Sequence, residues 1–85
     1  MTVQEAKAHI FDRVCRQYHH GNTNEFIDGE TVRQDKDISE EVFGKALKEF
    51  MEIDGHRFVE VDTNRRLKLG VSGLKNCVQK TNPFR

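Results

Sequence analysis

At 85 residues, the chain falls well below the ~150-residue length prior for one domain, so a single domain spanning 1–85 is expected. Hydrophobic side chains make up 35% and charged ones 33%, which suits one core but not a large enclosed substrate cleft as well. No apolar run approaches the ~20 residues that span a bilayer, and two cysteines make no disulfide framework; membrane proteins, disulfide-rich secreted modules, repeat arrays and most stand-alone enzymes are disfavoured. The polar stretch Met1 to Lys7 lacks a secretory apolar region, and a reducing setting is expected, cytoplasmic or, for a DNA-bound domain, nucleoid or nuclear.

In chain order, Val3, Ala6, Ile10, Phe11, Val14 and Tyr18 recur at three- and four-residue steps, which predicts a first helix over residues 2–20. Thr2 with Glu5 has the capping-box spacing, and Gly21 is expected to supply a left-handed C′ position. Gly21-Asn22-Thr23-Asn24 reads as a loop. Phe26-Ile27 allows two or three residues of strand, and Asp28-Gly29 signals a turn. Glu30 to Asp35 predicts a short helix with Val32 inward. Ser39 is a good N-cap for a third helix over 39–53, with Glu40 and Glu41 in its first turn and Asp54-Gly55 at its end.

Residues 56–71 change to period two. Phe58, Val59 and Val61, then Leu67, Leu69 and Val71, alternate with charged residues around Thr63-Asn64-Arg65, which predicts a β-hairpin. Leu74, Cys77 and Val78 suit a short last helix capped by Ser72, and residues 81–85 are expected to fray. The expected core is Ile10, Phe11, Val14, Phe26, Ile27, Val32, Ile38, Val42, Phe43, Ala46, Leu47, Phe50, Met51, Phe58, Val59, Leu67 and Leu69.

The order helix, short strand, short helix, turn, helix, hairpin, terminal helix resembles the winged-helix superfamily of helix-turn-helix domains. The stretch carrying it is FIDGETVRQDKDISEEVFGKALKEFMEIDGHRFVEVDTNRRLKLGVSGL, residues 26–74. The resemblance implies an α+β fold with a three-helix helix-turn-helix core, a hairpin wing and a DNA-facing third helix.

Net charge is zero but unevenly spread: residues 1–56 carry seven basic and twelve acidic side chains, and residues 57–85 seven basic and two acidic. Such asymmetry points to a nucleic-acid partner for the basic part, or to neutralisation of that part within the fold. The third helix offers Lys45 and Lys48, but also Glu41, Glu49 and Glu52, and no Arg, Asn or Gln to read bases. The wing is the better candidate, through Arg57, Asn64, Arg65, Arg66 and Lys68, with Lys75 extending the basic character. The sequence therefore favours a non-enzymatic, regulatory or replication-accessory domain that binds DNA through its wing. The alternative is a protein-interaction or self-associating module that uses the acidic third helix.

Catalysis and cofactors find little support. Cys15 and His19 are four apart on one helix, but Cys77 is 62 residues away from Cys15 and no CxxC exists. Cys77 is expected to face the core. The glycines lack phosphate-loop spacing, and no small-molecule substrate or cofactor is expected. Gly44 is unusual, since it interrupts a good helix at a cost of about 1 kcal/mol relative to Ala, as if to admit the second helix or a partner.

Overall fold

The computed structural model describes residues 1–21 and 23–85; Asn22, in the predicted loop, lies outside the described residues. It is an α+β fold of four helices and one three-stranded antiparallel sheet among the described residues. The elements are α1 (Val3–Gly21), β1 (Ile27–Asp28), α2 (Gly29–Asp35), α3 (Glu40–Lys48), β2 (Val59–Val61), β3 (Arg66–Leu69) and α4 (Val71–Val78). None of the helices is long and apolar enough to cross a membrane.

Local chemistry sets the helix starts. The Thr2 backbone N–H donates to Glu5 Oε1 (2.8 Å) and the Glu5 N–H to Thr2 Oγ1 (3.1 Å), closing the predicted capping box. Asp28 caps α2 by accepting from the Glu30 N–H, and Ser39 caps α3 by accepting from the Val42 N–H. Gly21 departs from expectation, because α1 continues through it rather than ending before it. Ser72 does not cap α4 either. Gly70 takes that position, and the Ser72 N–H is drawn to the Arg57 carbonyl (2.9 Å).

The sheet order is β1-β3-β2, with Ile27 opposite Leu67, and Val59 and Val61 opposite Leu69 and Leu67. These residues point to one face; α1 packs against β3, the helical turn that follows α3 packs against β2, and α3 packs on α1. Phe11, Phe43, Phe50, Ile10, Ile38, Leu67, Leu69, Val32 and Val59 are fully buried, each contributing roughly 1.5–3 kcal/mol by its removal from water.

Two core expectations and one about the tail are corrected. Phe26 is 37% exposed: β1 is only two residues long, Ile27 takes its inward side, and strand alternation turns Phe26 outward. Met51 is 36% exposed because the helix after Lys48 widens to a π-helical turn over Glu49–Ile53. The extra residue in that turn keeps Phe50 and Asp54 inward and rotates Met51 and Ile53 out. The tail, residues 81–85, does not fray: Phe84 is buried and Asn82 Nδ2 donates to the Ala8 carbonyl (3.0 Å). An aromatic ring with a place in the core outweighs the entropy of a loose end.

Two glycines carry opposite steric meanings. A Cβ on Gly73 would lie 1.9 Å from the Phe58 carbonyl oxygen, so α4 approaches β2 only because that atom is missing. At Gly44 a Cβ would meet nothing within 4 Å, so the second helix does not need that space. Gly73→Ala is expected to cost about 1–3 kcal/mol through overpacking. Gly44→Ala is expected to add up to ~1 kcal/mol through helix propensity. Urea denaturation of the two variants should move the midpoint in opposite directions.

Candidate functional site

The hairpin loop is organised by Asp62. Its Oδ1 accepts from the Asn64 and Arg66 backbone N–H groups (2.9 and 2.8 Å), and its Oδ2 accepts from Arg66 Nε (2.7 Å). Burial raises the Asp62 carboxyl's proton affinity, but the Arg66 and Asn64 hydrogen bonds outweigh it and hold the group below the usual carboxylate range. The turn leaves Arg65 in the left-handed region at φ 59°, a conformation unusual for a residue with a Cβ. Gly29 makes room beneath it, since a Cβ there would sit 2.0 Å from the Arg65 carbonyl oxygen.

Folding gives most of the predicted cations a carboxylate or carbonyl. Arg65 Nη1 reaches Glu40 Oε1 (2.6 Å) and its guanidinium lies over the Phe43 ring (5.0 Å), so this side chain is built into the α3 contact rather than held out from the wing. Arg66 pairs with Asp62, Lys68 lies 4.0 Å from Glu60, Lys45 pairs with Glu41 (3.3 Å) and Lys48 with Glu52 (3.8 Å). Arg57 precedes β2 and donates from Nε to the Asp54 carbonyl (3.0 Å). Asn64 is exposed at the tip. Lys75 is exposed on α4 and has no ion-pair partner among the described residues.

Two surfaces emerge that the sequence did not single out. On the outer face of the sheet, the exposed Phe26 ring carries Arg66 at 5.6 Å and Lys68 at 4.8 Å. Alternation places these three together once Ile27 is paired with Leu67. Between α3 and the hairpin runs an open groove of about 400 Å³, lined by Gly44, Leu47, Met51 and Val61, with Glu40, Asp62, Thr63 and Arg65 along it. Only the oddity of Gly44 signalled this groove in the sequence. Met51 joins it because of the π-turn.

A second cleft, of about 460 Å³, lies between α1 and α4. It brings Cys15, His19 and Cys77 together. Among the described residues, no group of three or more His, Cys, Asp and Glu side chains is placed to hold a metal ion. No family model matches this chain, and no match was found among curated proteins or solved structures.

Proposed function

We propose that this chain is a winged helix that docks a protein partner in the groove between α3 and the hairpin. The element order and the β1-β3-β2 sheet, with its hairpin directly after α3, support the winged-helix reading. Gly44 carries the functional reading. It weakens α3 by about 1 kcal/mol, no neighbour in the fold uses the space it leaves, and it opens onto Leu47, Met51 and Val61. A close-packed apolar side chain from a partner would use that space. The surrounding carboxylates Glu40, Glu41, Glu49 and Glu52 face Arg65, Lys45, Lys7 and Lys48 in turn, so the groove selects its partner by apolar fit rather than by net charge.

The same carboxylates oppose phosphate, and the paired state of Arg65, Arg66 and Lys68 lowers the charge available to DNA. One observation favours nucleic acid as a second reading: the exposed Phe26 ring flanked by Arg66 and Lys68 is a small aromatic and basic surface.

An amide-shift titration with a mixed-sequence DNA duplex at low salt separates the two. The docking reading expects no shift cluster at Phe26 and Asn64–Lys68. A cluster there that fades with added salt would replace it with nucleic-acid binding, and Arg65→Ala with Arg66→Ala should then weaken affinity across sequences. Affinity capture by the wild type and by Gly44→Gln, which fills the groove with a good helix former, tests docking directly. At least one protein retained by the wild type should be lost by Gly44→Gln. Identical captured sets would refute the groove.

A further inference from the structure

The cleft between α1 and α4 holds chemistry that the docking face does not use. Cys77 is 1% exposed and its Sγ lies 3.4 Å from His19 Nε2. Cys15, half-buried and one helical turn before His19, lines the same cleft. Two thiols from residues 62 positions apart thus share one cleft with an imidazole, and that cleft is open to a small oxidant.

We propose that Cys15 and Cys77 are a modification site, a dithiol that hydrogen peroxide converts to an intramolecular disulfide with His19 as the proton acceptor. His19 Nε2 takes the Cys77 thiol proton, and the thiolate attacks one peroxide oxygen. The O–O bond breaks, and the departing hydroxide takes the proton from His19 and leaves as water. Cys77 is then a sulfenic acid. The Cys15 sulfur attacks the Cys77 sulfur, the S–O bond breaks, and the Cys15 proton leaves with the hydroxyl as a second water. Two thiols are oxidised by two electrons, and one peroxide is reduced to two waters.

The order of the steps follows from the surroundings. Burial, and next the neighbouring Cys77 thiol, hold the Cys15 thiol well above its ordinary range. Cys77 has the His19 imidazole within hydrogen-bond distance of its sulfur and acts first, and Cys15 acts second.

Intact-mass analysis of the folded chain after peroxide treatment tests the site. The expected product is lighter by about 2 Da, resists alkylation after unfolding until it is reduced, and melts about 10 °C higher because the bond constrains a long loop. Cys15→Ser should stop at a Cys77 sulfenic acid that a cyclic diketone traps. His19→Gln should give the wild-type product about a hundredfold more slowly, as expected for loss of a general base. Oxygen adducts without the 2 Da loss, intermolecular dimers, or cross-linking no faster in the folded chain than in urea would overturn the dithiol. An unchanged rate in His19→Gln would overturn the role of His19.

Discussion

Replacing Phe84 with alanine is expected to lower stability by about 3–5 kcal/mol, seen as a lower urea midpoint with an unchanged slope. A residue in a loose tail would change it by less than about 0.5 kcal/mol, so the measurement discriminates sharply. The ring is 8% exposed and meets Phe11, Phe50 and Phe58 edge-on at 5.9, 5.4 and 5.4 Å. Such aromatic pairs add to the area term. The backbone around it is fixed as well: Gln4 Nε2 donates to the Phe84 carbonyl (2.9 Å), and the Phe84 N–H donates to Asn82 Oδ1 (2.9 Å). Pro83→Ala, which changes an exposed neighbour, should have a much smaller effect.

Lys7→Ala is expected to cost about 3 kcal/mol or more, the penalty for stranding a buried charge. Lys7 sits on the inward side of α1 with its side chain 5% exposed. Its ammonium reaches Asp54 Oδ2 at 2.9 Å and Glu49 Oε1 at 3.4 Å, and lies over the Phe50 and Phe84 rings at 5.1 and 4.7 Å. Removing it leaves the Asp54 carboxylate, itself largely covered, without a cation. Asp54→Asn should cost less, since the amide oxygen still accepts from Lys7. The paired change Lys7→Met with Asp54→Leu should recover most of the loss, because an apolar pair replaces a buried ion pair at little net cost. Lys7→Ala combined with Phe84→Ala should fall short of the sum of the single effects, as the two side chains touch. Equilibrium denaturation of the four variants reads all of this. Equal losses in Lys7→Ala and the apolar pair would contradict the ion-pair account.

The sequence made the regular parts of this fold readable. The 3.6-residue stripe of α1, the Ser39 cap with the stripe of α3, and the alternation around Thr63-Asn64-Arg65 each become an observed element. What stayed hidden depended on tertiary partners. Lys7 occupies a stripe position beside Val3 and Ile10, and a polar residue there is a weak sign of a buried pair, but its partner lies 47 residues on. The π-turn leaves no periodic trace, so Met51 and Phe50 look equivalent until their burial is known. Phe26 could be turned outward only once a two-residue strand had a register. The proposed wing cations are readable as residues. The carboxylate partner of Arg65 is not, because Arg65 meets Glu40 across 25 positions. The two cysteines lie even further apart in sequence.

The clasp between α1 and the residues near 84 also gives the fold a direction in time. Ribosomes deliver α1 first, with the surfaces of Lys7, Ala8 and Phe11 that will receive Asn82 and Phe84 still bare. At about 5–20 residues per second, several seconds pass before Phe84 is even joined to the chain. Until then whatever part of α1 has left the ribosome lacks the ring that covers Lys7 and Phe11 in the finished fold. The clasp therefore closes only after residue 84 has left the exit tunnel, so the N-terminal helix waits for the far end of this segment before its packing is complete.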